Sequence, residues 1–142
     1  MKLVEVCTTI RVRYKETDQM GVVYHGNYFT WFDIGRTEFF REFNMEYGNL
    51  EKVGVLLPVI EANCKYIIPA KYDDEIIINT KLVKLKGVRL EFEYTLVRKW
   101  DNALIATGNT VHAFVDRNLK PINFRKKYRE IWGLLESKVE IG

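Results

Sequence analysis

Between Tyr28 and Phe43 the apolar or small residues Tyr28, Phe29, Trp31, Phe32, Ile34, Gly35, Phe39, Phe40 and Phe43 recur at three- and four-residue spacing, with Asp33, Arg36, Glu38, Arg41 and Glu42 between them. That spacing predicts a long helix that is apolar over much of its surface, so other elements have to cover it. The remaining patterns are those of strands. Val4 to Tyr14 places Val4, Val6, Thr8, Ile10, Val12 and Tyr14 opposite Glu5, Thr9, Arg11 and Arg13, the period-2 pattern of a half-buried strand.

Four more strands come after the helix. Asn44 to Gly54, with Gly48 and Gly54, reads as a turn or broken helix. Pro58 to Ile68 sets Ile60, Ala62, Cys64, Tyr66 and Ile68 opposite Glu61, Asn63 and Lys65, and Pro69 closes it. Asp74 to Lys86 alternates weakly, whereas Val88 to Leu96 alternates cleanly, with Val88, Leu90, Phe92, Tyr94 and Leu96 on one side. After Trp100-Asp101-Asn102, Ala103 to Val115 is the last strand, and the short connections imply an antiparallel meander. Arg125 to Glu136 is a terminal helix carrying Tyr128, Ile131, Trp132 and Leu135. One buried helix packed on one strongly curved antiparallel sheet satisfies all these patterns, which makes the expected class α+β.

A chain of 142 residues suits a single domain spanning 1–142. It is 47% hydrophobic and 29% charged, a globular composition, and no apolar run approaches the roughly 18 residues a membrane span requires. A cytoplasmic location is therefore expected, because the opening residues alternate in polarity where a signal peptide needs an apolar core. Cys7 and Cys64 have no metal-like spacing and are expected as small buried residues, not as a disulfide or zinc pair. The net charge of +3 is too slight to point to nucleic acid.

The stretch most suited to chemistry lies just before the helix: Asp18-Gln-Met-Gly-Val-Val-Tyr-His-Gly-Asn-Tyr28. A helix start has backbone N–H groups without intrahelical partners and a dipole that favours negative charge. An acid held beside it can attack while the N–H groups hold an oxyanion.

The order of elements, together with Asp18-x-x-Gly21-Val22-Val23-Tyr24-His25-x-Asn27-Tyr28, resembles the 4-hydroxybenzoyl-CoA thioesterase family of hotdog-fold proteins, and within it the short acyl-CoA thioesterases associated with the bacterial Tol-Pal system. The similarity extends from Arg13-Tyr14 through the motif and Glu38 to the late strand ending near Asp116. It implies a helix wrapped by a five-stranded antiparallel sheet, dimers joined edge to edge and paired again into tetramers, and active sites between subunits. The implied activity is hydrolysis of an acyl-CoA thioester with no cofactor, coenzyme A being part of the substrate. Asp18 matches the family's catalytic carboxylate. His25 matches the position whose backbone N–H polarises the thioester carbonyl, and in the Tol-Pal-associated group its side chain also belongs to the site.

Thioester hydrolysis needs a nucleophile or a base for water, plus donors for the carbonyl oxygen as it becomes negative. Asp18 can attack to give an anhydride or deprotonate water. His25 can orient Asp18, donate to the thioester or contribute only its N–H. Gly21 and Gly26 allow close approach of a substrate. Asn27 is expected to cap the helix by accepting from a backbone N–H, and it joins Tyr24 and Tyr28 as candidate substrate contacts, although both tyrosines equally suit the core. Arg89, with Lys84 and Lys86 around Gly87, is a candidate for the phosphates of coenzyme A, as are Arg125, Lys126 and Lys127. Glu38 suits an ion pair with Arg36 or Arg41, and His112 a hydrogen-bonded place in a strand. Two rival activities use the same residues: an acyl-thioester hydratase or dehydratase, and a module that binds acyl-CoA without turnover.

Overall fold

The computed structural model describes residues 5–42 and 47–139, with side chains described from residue 50 onward in the second stretch. Its elements in chain order are β1 (Glu5–Arg11), a 3-10 turn (Tyr14–Glu16), α1 (Asn27–Glu42), α2 (Tyr47–Lys52), β2 (Val59–Tyr66), β3 (Glu75–Lys86), β4 (Arg89–Arg98), β5 (Ala103–Ala113), α3 (Phe124–Lys127) and α4 (Arg129–Glu136). All strands join one antiparallel sheet in the order β1-β3-β4-β5-β2. This is the expected α+β hotdog arrangement, a central helix wrapped by a five-stranded sheet. Val4, Phe43 and the segment 44–46 lie outside the described residues.

The helix is held by aromatic packing on the sheet. Leu90, Phe92, Tyr94 and Leu96 of β4 are all buried, as are Trp31, Phe32, Phe39 and Phe40 of α1. Phe32 stacks on Tyr94 at 4.4 Å, and Phe39 and Phe40 meet Phe92 edge-on at 5.3 and 5.7 Å. Each such side chain contributes about 1.5–3 kcal/mol through apolar burial. Two glycines make the approach possible. A Cβ on Gly108 of β5 would lie 2.5 Å from the Phe32 ring, and one on Gly35 of α1 would collide with the Thr80 hydroxyl of β3.

Several expectations are corrected by the packing. The alternation of β2 does not translate into burial: it is the outer strand beside β5, and Val59, Ile60 and Tyr66, with Ile67 and Ile68 just beyond, are exposed because none of the described elements covers them. Cys7 is exposed because it sits at an odd position of β1, on the outer face, where its thiol meets Asn79 Oδ1 at 2.6 Å, while Cys64 is partly buried. The weak alternation of β3 has a cause: the pairing slips between Leu82 and Lys84, a bulge that shifts the inward phase. The terminal helix is two pieces, broken at Tyr128, whose φ of −130° and ψ of 62° leave the helical region.

Two buried polar groups tie the elements to one another. Glu16 accepts the Arg13 N–H at 2.7 Å on Oε1 and the Trp31 indole N–H at 3.1 Å on Oε2, while its carbonyl accepts the Tyr24 N–H at 2.8 Å and the Asn27 side-chain amide at 2.9 Å. It joins the 3-10 turn to the start of α1. On the other side of the core, Arg36 donates to the Tyr94 hydroxyl, which bonds Thr110 at 2.6 Å, and Thr110 meets His112 Nε2 at 2.8 Å. Because His112 Nδ1 faces the Leu57 carbonyl at 3.1 Å, Nδ1 donates and Nε2 accepts, so the chain of donors runs from Arg36 to Leu57 with a neutral imidazole. Burial, and next the Arg36 charge, push His112 down to about 4 from its usual 6.5.

Both groups can be tested by substitution. Glu16→Ala strands the buried Trp31 indole N–H and the part-buried Arg13 N–H and should lower unfolding stability by about 1–3 kcal/mol, read from urea titration. Because the folded His112 resists protonation that the unfolded chain accepts, its contribution is intact above pH 6.5 and is lost as pH falls from 6.5 to 4, by roughly 3 kcal/mol in all. Urea midpoints measured across that window should fall less steeply in His112→Asn than in the wild type.

Candidate active site

Asp18 stands in a tight turn between the 3-10 turn and α1. Its N–H donates to the Val22 carbonyl at 2.8 Å, its carbonyl accepts from Gly21 at 3.0 Å, and its Oδ1 accepts from the Met20 N–H at 2.8 Å. Gly21 has a φ of +80°, which a side chain at that position would strain. The Asx turn occupies one carboxylate oxygen. Among the described residues Oδ2 has no hydrogen-bond partner, so this oxygen is available to attack or to take a proton.

The turn and the helix start frame an open cavity of about 270 Å³ lined by Asp18, Met20, Val22, Val23, His25, Tyr28, Tyr66, Ile67, Ile68 and Pro69. Asp18 and His25 are its polar groups near the helix, and the walls are otherwise largely apolar or aromatic. The His25 ring lies 4.4 Å from Tyr24 and edge-on to Tyr66 at 6.3 Å. Among the described residues no hydrogen bond or ion pair joins Asp18 to His25, and the backbone N–H groups of His25 and Gly26 have no acceptor. Those two N–H groups lie at the positive end of α1, the arrangement that receives a developing negative charge.

The other expected residues divide. Tyr28 is buried and forms part of the cavity wall, its hydroxyl accepting the Ala70 N–H at 3.2 Å, and burial raises its pKa. Tyr24 and Asn27 line a neighbouring hollow across the turn that shares Asp18 with this cavity and is completed by Tyr14, Lys15, Thr17 and Gln19. Asn27 is not an N-cap: it is the first residue of α1, and its amide donates to the Glu16 carbonyl, a tie between turn and helix. Arg89 lines a hollow with Lys84, Lys86, Glu61 and Glu91 at the far end of the sheet. Glu61 precedes Tyr66 by five residues on β2, roughly 17 Å of strand, so one chain does not bring Arg89 to the Asp18 cavity. Lys126 and Arg129 border a further hollow beside Trp132, also away from it. On α1, Glu38 pairs with Arg41 at the surface, and the exposed Asp33 pairs with the buried Arg36 at 2.6 Å.

Two residues at the site were missed by the motif. Glu16 has a sequence signal, an acid two places before Asp18, but its burial depends on Trp31. Tyr66 reaches the site from another strand: its hydroxyl donates to the His25 carbonyl at 3.0 Å.

Comparison with known proteins agrees with this geometry. The chain is 37% identical over 120 residues to a putative acyl-CoA thioesterase, YneP, of Bacillus subtilis, covering 84% of this chain and 86% of that one. It is 35% identical to the acyl-CoA thioesterase YbgC of Haemophilus influenzae, covering 84% and 88%. Among solved structures, a DHNA-CoA thioesterase from Staphylococcus aureus superposes with a TM-score of 0.89 at 31% identity, covering 96% of this chain and 91% of that one. The family model described as the thioesterase-like superfamily matches residues 12–131, a span that takes in the Asp18 turn, the whole sheet beyond β1 and part of α4, and the chain belongs to that superfamily.

Proposed function

We propose that the protein hydrolyses an acyl-CoA thioester to a free acid and coenzyme A. The observation that carries this reading is the Asp18 cavity, where a carboxylate oxygen and N–H groups at a helix start, all without a partner among the described residues, border a largely apolar hollow. The acyl group lies against Val22, Val23, Ile67 and Ile68. Asp18 attacks the thioester carbon directly, or takes a proton from the water that does. As the carbonyl oxygen becomes negative, the N–H groups of His25 and Gly26 donate to it. The C–S bond then breaks, the thiolate of coenzyme A leaves and is protonated, and one water is consumed overall. Each step is served by these groups and water, with no metal or redox cofactor required. The similarity to relatives named as acyl-CoA thioesterases supports the same reaction.

The functional unit proposed is an oligomer built first from an edge-to-edge dimer. Support comes from β2, an outer strand whose exposed Val59, Ile60, Tyr66, Ile67 and Ile68 form an uncovered apolar edge. Pairing two β2 strands antiparallel sets the Glu61 end of one copy beside the Tyr66 end of the other. That would carry Arg89 and its neighbouring lysines toward the opposite copy's Asp18 cavity, where the phosphates of coenzyme A need cations. Pairing of dimers into tetramers is the extension of this arrangement. Among the described residues no helix is long and apolar enough to cross a membrane. A cytoplasmic place of work fits a substrate bearing coenzyme A, and the two cysteines are unbridged.

Release of coenzyme A from short, long and aromatic acyl-CoAs should be measurable with the wild type and should fall by roughly 10²–10⁴-fold in kcat with Asp18→Asn. Turnover equal to wild type in that variant would sink the mechanism. A single turnover in ¹⁸O-labelled water puts the label in the Asp18 carboxylate only if an anhydride forms. For the assembly, light scattering should give at least twice the 16.8 kDa chain mass, and Val59→Lys with Ile60→Glu should give the monomer.

A further inference from the structure

The hydroxyl of Tyr66 serves no step of the proposed reaction, yet it is the group from β2 that reaches the helix start. It lies at the last position of the strand and donates across 41 residues of sequence to the His25 carbonyl at 3.0 Å. The Tyr28 N–H approaches the same carbonyl at 3.3 Å, a long contact for a hydrogen bond. The stronger restraint on that peptide therefore comes from another element of the fold, not from the helix itself.

Peptide geometry gives this restraint a consequence. No peptide bond among the described residues is cis, and a trans peptide is planar with its C=O and N–H pointing in opposite directions. Holding the His25 carbonyl thus fixes the direction of the Gly26 N–H, which emerges at the positive end of α1 beside the cavity that His25 lines. The ring of Tyr66 is itself braced, edge-on to Tyr28 at 5.0 Å and to His25 at 6.3 Å. Its hydroxyl stays protonated at neutral pH: although the ring is partly exposed, desolvation of the hydroxyl, and next the neighbouring Cys64 thiol, push its pKa up to about 12.

We propose that Tyr66 is a positioning residue for the oxyanion site: through the His25 carbonyl it aims the His25–Gly26 peptide, so that the N–H meets the thioester oxygen only as that oxygen becomes charged. This rests on the hydrolase reading above. A donor aimed in advance at the transition state lowers the barrier without tightening ground-state binding. Tyr66 does not touch the reacting atoms in this scheme, and it forms no bond that breaks.

The test is Tyr66→Phe, which keeps the ring and its packing and removes only the hydroxyl. The expected result is a fall of about 10- to 100-fold in kcat with KM and melting temperature close to wild type. An unchanged kcat overturns the proposal, as does a loss of kcat matched by shifts in KM and melting, which marks a packing role. A second readout does not depend on turnover: the Gly26 amide resonance in a ¹⁵N-labelled sample should shift in Tyr66→Phe, and an unmoved Gly26 amide also overturns the proposal. If the wild type releases no coenzyme A from any acyl-CoA, the hydrolase reading fails on its own, while the amide shift still reports whether Tyr66 aims the peptide.

Discussion

The structure depends on one contact surface, the aromatic side of α1 laid against the inner faces of β3, β4 and β5. Phe32 on Tyr94 and Phe39 and Phe40 on Phe92 are its centre, and they bury the rings that would otherwise have to face water. The loop carrying Asp18 enters this helix and the sheet lies beneath it. The Asp18 turn is therefore as well placed as the helix is. Glu16 extends the anchorage to the turn itself, since its carboxylate joins the strand side at Arg13 to the helix side at Trp31.

Much of this was legible in the residues because alternation is a direct record of burial. Val88 to Leu96 reads correctly since each inward residue of β4 packs on α1, and the start of the helix differs from the expected one by a single residue. The failures have physical reasons. An apolar alternation in β2 suggests burial within the chain, yet a strand pattern does not say what covers it, and here the described elements leave it open. Asn27 has the composition of a cap, but Glu16 offers its carbonyl as a competing acceptor for the amide. A bulge at Val83 changes the phase of β3 without changing its composition.

The site was legible only in its local part. Asp18, Gly21 and His25 are near neighbours in sequence, and one turn leading into a helix start brings them together. Tyr66 and Glu16 act through pairs separated by 41 and 15 residues, and no spacing rule links such positions before the fold is known. Arg89 shows the reverse case: its charge is suited to phosphate, but strand length sets it at the other end of the sheet.

The two glycine notches act together as a key. Gly35 admits Thr80 of β3 into the helix surface, and Gly108 of β5 admits Phe32 of the helix into the sheet surface, so each element penetrates the other at a different point. One notch alone would leave the helix a pivot; two notches, one on the helix facing β3 and one on β5, remove both rotation and sliding. A displacement by a single residue would move α1 about 1.5 Å along its axis and turn it by about 100°. A hydrogen bond of 3.0 Å between Tyr66 and His25 could not survive that step. The precision of the helix start is thus inherited from two missing side chains, one of them in the last strand of the sheet.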